Sequence, residues 1–316
     1  MKIQVLARDL IRLSLREDTS QGDPTTAALL DRGRIARALI FARAEGIICG
    51  LNIAQTVFKT IDPRVKFKLL VPEGSRVKAD TAIAEVTGKA RTLFKGERTV
   101  LNFIQHLSGV STLTGRFVKR AKNTSVSASA KIIDTRKTTP GWRHLEKYAV
   151  KMGGGDNHRM TLGEFILIKD NHWKFLPGDS LSEAVRGLRK RKPGMKIEVE
   201  VKKISELKKA LEAGVDIIML DNMNYTNLKK SIELIKNYRA KSPQILKKSK
   251  PKGYALLIPI KEGHKRGDKK PLIEISGGVN FKNVGRLARL GAEQISVGAL
   301  THSAPAFPVD MEITND

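Results

Sequence analysis

From residue 131 onward one pattern repeats: a short aliphatic run, an abrupt polar step, a stretch of helical period, then the next run. The runs are KIID at 131, FILI at 165, KIEVEV at 196, DIIML at 216, LIEI at 272 and QISV at 294. The helical stretches between them are SLSEAVRGLRKRK, ISELKKALEAG and YTNLKKSIELIKN, with NVGRLARLGA before the last run. Strand and helix in alternation predict a parallel sheet with right-handed crossovers. The ends of the runs choose between the two common forms. Each hands over at once to reactive or phosphate-friendly residues: DTRK, KDNH, Glu200, Asp221 with Asn222, SGG and VGA. In a barrel, the C-terminal ends of successive strands converge on one mouth, whereas an open sheet gathers ligands at a single switch point. The pattern predicts an α/β barrel.

The first 96 residues read differently, as a mixed unit. An amphipathic opening (Ile3, Val5, Leu6, Leu10, Leu13) leads into the turn-rich QGDPTT. Strand-like runs follow at Ala38–Ala42, Gly46–Cys49, Val65–Val71 and Thr81–Val86, separated by turns. Residues 97–121 predict a helix, with Val100, Leu101, Ile104 and Leu107 in one stripe and Arg98, Asn102 and Gln105 off it. The start of the chain carries charges throughout and lacks the apolar core of a signal peptide. No apolar run approaches the roughly 18 residues that span a bilayer, so a soluble, cytoplasmic protein is expected, without a membrane partner. A single cysteine, Cys49, excludes an intramolecular disulfide and a cysteine-only metal cage.

Charge narrows the partners. Lys and Arg number 58 against 32 Asp and Glu, a net +26, which favours anionic ligands. Of that surplus, +8 lies in residues 241–270, a stretch with ten Lys/Arg and two acids that breaks the strand–helix rhythm and reads as a basic surface insertion. It carries a small apolar run of its own, Tyr254–Ile260. Neither an RNP-like aromatic motif nor a zinc-finger spacing accompanies it, so nucleic-acid binding has no readout element.

The chemistry concentrates in residues 134–172. Thr135, Arg136 and Lys137 follow one strand, His158 and Arg159 follow the glycine run 153–155, and Lys169 ends the next strand. Cations on converging loops make an anion receptor, and guanidinium forks suit carboxylates. For any one of these arginines alone, a structural ion pair is the competing explanation. Glu198 and Glu200 share one face of their strand, opposite Ile197, Val199 and Val201, and Asp221 ends the following strand. Such carboxylates could bind ribose hydroxyls, hold Mg²⁺ through water, or stabilise a cationic sugar; an internal salt bridge to Lys169 is the alternative. Ser276, Gly277 and Gly278, and Val297, Gly298 and Ala299, end the last two strands, where small residues let backbone N–H groups approach phosphate. GxxxxGK[ST], HExxH and GxSxG are absent from the sequence.

The blocks DTRKTTPGWRHLEKYAVKMGGGDNHR, IKDNH, IEVEV, IMLDN, EISGGV and ISVGALTHS, in this order, with REDTSQGDPTT and GERTVLN before them, closely resemble the quinolinate phosphoribosyltransferases. The resemblance covers nearly the whole chain apart from 241–270. It implies an N-terminal α/β sandwich over 1–111 joined by 303–316, and a C-terminal open α/β barrel of the type II phosphoribosyltransferase kind over 112–302. It implies a reaction in which quinolinate and phosphoribosyl pyrophosphate give nicotinate mononucleotide, pyrophosphate and CO₂ with Mg²⁺, and a homodimer with shared sites.

By the same resemblance, Arg136, His158 and Arg159 hold the quinolinate carboxylates, with Arg98 of the partner subunit. Lys137 and Lys169 serve the ligand anions near the reacting centre. Glu200 and Asp221 address the ribose hydroxyls and the metal, directly or through water, and Ser276–Gly278 and Val297–Ala299 cradle the ribose phosphate. Three departures stand out: the basic stretch, Lys202 after IEVEV, and Trp173 and Phe175 after DNH. None is expected to touch a residue of the site. A type II phosphoribosyltransferase for a different aromatic acid is the near alternative, and a nucleic-acid-binding protein using 241–270 is the distant one.

Overall fold

The strands are β1 (Ile35–Ala42), β2 (Gly46–Ile47), β3 (Lys66–Leu69), β4 (Arg76–Val77), β5 (Thr81–Lys89), β6 (Lys131–Ile133), β7 (Ile166–Ile168), β8 (Ile197–Val201), β9 (Ile217–Asp221), β10 (Leu272–Ser276), β11 (Gln294–Ser296) and β12 (Val309–Thr314). The structure is a computed structural model that describes residues 3–123, 130–176, 180–241 and 270–314. The basic stretch 241–270, with its apolar run, lies outside the described residues except at its two ends. The chain groups into two units: residues 1–120, 132–160 and 298–316 form one, and 121–131 with 161–297 form the other.

The first unit is built on an antiparallel sheet of order β12-β1-β5-β3. β1 buries Ala36, Ala38, Ile40 and Ala42 at every second position, the period of a half-buried strand. The chain's last strand pairs with its first, Ala42 opposite Val309 and Arg37 opposite Thr314. The opening forms two helices, Ile3–Leu6 and Arg8–Thr19. In QGDPTT, Asp23 caps the helix Pro24–Leu29 by accepting from the Thr26 N–H at 2.9 Å, with Pro24 at its first position. β4 was not legible in the sequence, because two residues carry no period.

The expected helix over 97–121 runs from Ala90 to Lys122. Its stripe residues Val100, Leu101, Ile104 and Leu107 are buried as read. The helix thus begins before the expected Glu97 and runs through Gly96. A Cβ there would lie 2.7 Å from Phe58 Cε1, so the glycine allows the helix to pass close over the helix Leu51–Ile61. Together these helices bury Phe58, Phe103, Ile53 and Leu93 with less than 2% exposure each. Fully burying a side chain of this size is worth about 1.5–3 kcal/mol.

The second unit holds the parallel sheet. β7, β8, β9, β10 and β11 lie side by side in chain order, and β6 flanks β11. It enters through Lys131, whose N–H donates to Glu293 O at 2.9 Å. First strand beside last, with the others in sequence, is the order of an α/β barrel, here open between β6 and β7 among the described residues. Helices Leu181–Arg191, Ile204–Glu212 and Tyr225–Lys241 connect the strands where the sequence placed them. Val199, Ile218, Ile275 and Ile295 in the strands, and Leu207, Val185, Leu228 and Ile232 in the helices, are buried apolar residues. Among the described residues no helix is long and apolar enough to cross a membrane.

Candidate functional site

The cationic residues fall into place around the end of β6. Asp134, completely buried, closes the strand and accepts at Oδ1 from Lys147 Nζ and, at 3.0 Å, from the His158 N–H. Lys147, also fully buried, donates further to His158 O at 2.9 Å. With its nitrogen turned inward, the Asn157 amide donates to Asp134 Oδ2 at 2.7 Å and to Lys147 O at 3.0 Å. Burial pushes the Asp134 carboxyl up to about 6, with Lys147 and the His158 N–H pulling the other way. A buried, hydrogen-bonded ion pair thus ties the strand, the helix Arg143–Met152 and the turn carrying His158 and Arg159.

Arg136 Nε is buried and has no hydrogen-bond partner among the described residues. A buried guanidinium donor left open toward nothing in the protein is costly, and an anionic ligand would satisfy it. Arg159 is 6% exposed, and His158 is half-buried. Lys137 is exposed; Thr135 Oγ1 accepts its N–H at 3.0 Å, and the Thr301 hydroxyl donates to its carbonyl at 2.7 Å. Gly298 lies against it, since a Cβ at that glycine would come within 3.3 Å of Lys137 Cδ. Ala299 follows at the start of the short helix Ala299–His302. Arg98 is exposed on the helix Ala90–Lys122.

The acidic residues and the glycine loop belong to the parallel sheet. In register, Ile168 of β7 pairs Val199 of β8, Glu200 pairs Met219 of β9, and Ser276 of β10 pairs Asp221. Lys169, Glu200, Asp221 and Ser276 therefore stand on four neighbouring strand ends. Lys169 Nζ is 3.7 Å from Glu200 Oε2, the lysine half exposed and the glutamate side chain 9% exposed. The internal salt bridge to Lys169 is thus made by Glu200, while Glu198 is wholly buried. Glu200 is held above the usual carboxylate range, chiefly by desolvation and next by the Asp221 charge, with Lys169 opposing.

The loops after β9 and β10 interlock. Asn222 has a left-handed backbone (φ 51°), donates its N–H to Ser276 O at 3.0 Å and its amide to Asp221 Oδ2 at 2.9 Å. Gly277 (φ 81°) and Gly278 (φ 61°) follow in the same region. A Cβ at Gly277 would lie 2.7 Å from Asn222 N, so both the conformation and the close approach demand glycine there. Val297, buried, follows β11.

One expectation needs correcting. Trp173 does touch the site: its indole Nε1 donates to Glu200 O at 3.3 Å. Lys202 pairs with Asp170 at 2.5 Å, one residue beyond Lys169, so two of the three departures brace the ends of β7 and β8. Phe175 is 83% exposed. Sequence reading also missed Asp134, Glu146 and Lys147. For Glu146 and Lys147 the only sequence signal is HLEKYAV, where charged residues interrupt an apolar stripe; Asp134 stands at the end of KIID, before the cations that drew the reading.

Two family models match. Residues 23–108 match the N-terminal domain of quinolinate phosphoribosyl transferase, and residues 110–249 and 257–314 match its C-terminal domain. The chain belongs to the quinolinate phosphoribosyl transferase family. The match leaves only 250–256 of the basic stretch outside the family pattern, a shorter departure than 241–270. A probable nicotinate-nucleotide pyrophosphorylase (carboxylating) of Methanocaldococcus jannaschii is 35% identical over 308 residues, covering 97% of each chain. The nicotinate-nucleotide pyrophosphorylase (carboxylating) of Mycobacterium leprae is 33% identical, again over 97% of each. The crystal structure of NadC from Streptococcus pyogenes superposes with a TM-score of 0.82 at 33% identity, over 98% of this chain and 96% of that one.

Proposed function

We propose that the protein transfers the phosphoribosyl group of phosphoribosyl pyrophosphate to quinolinate with loss of CO₂, giving nicotinate mononucleotide and pyrophosphate, a step of NAD biosynthesis. The observation that carries this reading is the match of both family domains along the chain. The residue chemistry supports it. Arg136, whose buried Nε has no acceptor among the described residues, suits a carboxylate, and with His158, Arg159 and Arg98 of the partner subunit it takes the quinolinate dianion.

Departure of pyrophosphate leaves oxocarbenium character on the ribose, which the Glu200 and Asp221 carboxylates stabilise electrostatically and hold by its hydroxyls. Attack by the ring nitrogen forms a pyridinium. The adjacent C–CO₂ bond then breaks, its electron pair stays on the ring carbon beside the positive nitrogen, and a proton replaces CO₂. Lys137 and Lys169 neutralise the ligand anions, and the Ser276–Gly278 and Val297–Ala299 backbones hold the ribose phosphate. No nucleophilic side chain is needed; positioning two polyanions is the protein's task.

Mg²⁺ fits the same reading. Glu200 and Asp221 offer hard carboxylate oxygens, and the Asp221 charge already raises the proton affinity of Glu200, a repulsion that a divalent cation relieves. Bound by these residues or their waters, the ion would supply charge neutralisation of the pyrophosphate. The working form is a homodimer in the cytoplasm, each site receiving Arg98 of the partner subunit. The test is substrate choice. Purified protein with phosphoribosyl pyrophosphate and Mg²⁺ forms nicotinate mononucleotide from quinolinate and not from nicotinate; the opposite preference overturns the reading.

A further inference from the structure

The loop from Thr135 to Trp142 carries Arg136 and Lys137, and its far end is held by groups that take no part in the chemistry above. Glu146 projects from the first turn of the helix Arg143–Met152 and is completely buried. Its Oε2 accepts the Thr139 N–H at 3.1 Å, and its Oε1 lies 2.9 Å from His106 Nε2. His106, on the helix Ala90–Lys122, stands edge-on to Trp142, ring centroids 5.0 Å apart, and Trp142 stacks on Phe103 at 4.8 Å. Trp142 in turn donates its N–H to Thr139 O at 3.0 Å, closing the turn that ends the loop. Thr138 is tied from the same helix, its hydroxyl accepting from Arg143 Nε at 3.0 Å.

A carboxylate shut away from water is expensive unless both oxygens are satisfied, and here each oxygen has a different element to hold. One meets the long helix through His106, and the other meets the backbone of the loop. The loop cannot shift at Thr139 without leaving a buried carboxyl oxygen and a backbone N–H without each other. From Thr139 back to Arg136 is three residues, with a further N–H from Thr138 to Arg136 O at 3.0 Å fixing the intervening backbone.

We propose that Glu146, held by His106, is a positioning residue for quinolinate recognition: it sets the backbone of the 135–142 loop so that Arg136 meets the ligand carboxylates. This rests on the reading of Arg136 under the proposed function. Neither Glu146 nor His106 touches the ligand in this account. Their effect travels through the Thr139 N–H, so it depends on an acceptor at residue 146 and not on its charge.

The experiment pairs amide hydrogen exchange, which needs no catalysis, with steady-state kinetics on the full chain. Glu146→Leu removes the acceptor; Glu146→Gln keeps one oxygen for Thr139 and an amide for His106. In Glu146→Leu the Thr139 amide exchanges at least about tenfold faster, and KM for quinolinate rises about tenfold while KM for phosphoribosyl pyrophosphate stays within about twofold. In Glu146→Gln both quantities return to within about threefold of the parent. Unchanged Thr139 exchange in a folded Glu146→Leu protein overturns the proposal, as does an equal rise in both KM values. Should Glu146→Leu fail to fold, His106→Phe decides by the same two readings: faster Thr139 exchange with the quinolinate-selective KM change supports the anchor, and parent-like values refute it. An inactive parent with Thr139 protection lost in Glu146→Leu would leave the anchor standing and remove the function reading instead.

Discussion

Arg136 concentrates the argument at the scale of single residues. Its Nε is buried with no acceptor among the described residues, so a ligand oxygen there would make a charge-assisted bond. Arg136→Ala should raise KM for quinolinate by about tenfold or more, and Arg136→Lys should not restore it, because an ammonium cannot reproduce the fork. Initial-rate kinetics at varied quinolinate check both. Glu200 supplies a second prediction. Its proton affinity is raised by burial and by Asp221 and lowered by Lys169. In metal-free protein, Asp221→Asn should therefore move the Glu200 titration down toward the ordinary carboxylate range, and Lys169→Met should move it further up. Carboxyl ¹³C shifts followed against pH read the sign directly; an upward move in Asp221→Asn would contradict it. The positions of Lys169, Glu200 and Asp221 at strand ends, and of Arg136 just past one, were legible because a strand end is readable from periodicity. Trp173 was not: its indole reaches Glu200 O through a four-residue helix whose direction no local pattern gives.

At the scale of elements, the helix Arg143–Met152 does more than cross over. Lys147 clamps Asp134 and His158, and Glu146 clamps Thr139, so adjacent charged residues fix the two cation-bearing segments on either side of it. Removing one partner of the buried pair leaves an uncompensated charge. Lys147→Met should cost about 3–5 kcal/mol of stability, and Lys147→Met combined with Asp134→Asn should recover a good part of it. Denaturant unfolding of the two variants measures the recovery; a double variant as unstable as Lys147→Met alone would argue against pairing as the source. The strands β6 to β11 and the helices Leu181–Arg191, Ile204–Glu212, Tyr225–Lys241 and Val284–Ala288 were legible because apolar runs and 3.6-residue stripes are local signals, whereas the helix Arg143–Met152 was not among those expected. The helix from Ala90 extends before the expected residue 97 through Gly96, a glycine required by the neighbouring Phe58, and β4 is too short to show a period. The place of Gly96 depends on a distant part of the chain, as does the burial of Glu146 and Lys147.

For the whole molecule, the family match accounts for the order of every motif, while the basic stretch contributes much of the positive charge without a residue of the proposed chemistry. If sites are completed by Arg98 of the partner subunit, mixed dimers of an Arg98→Ala chain and an Arg136→Ala chain contain one intact site. They should regain up to about half of the parent activity expected for one site in two, measured on heterodimers purified by two tags. Activity no higher than that of either parent variant would remove Arg98 from the shared role. The most direct test of the central claim follows quinolinate labelled in the carboxylate adjacent to the ring nitrogen. Incubated with phosphoribosyl pyrophosphate, Mg²⁺ and purified protein, it should release labelled CO₂ and pyrophosphate in equal amounts with nicotinate mononucleotide. Pyrophosphate release without labelled CO₂, or no turnover of quinolinate at all, would contradict the account.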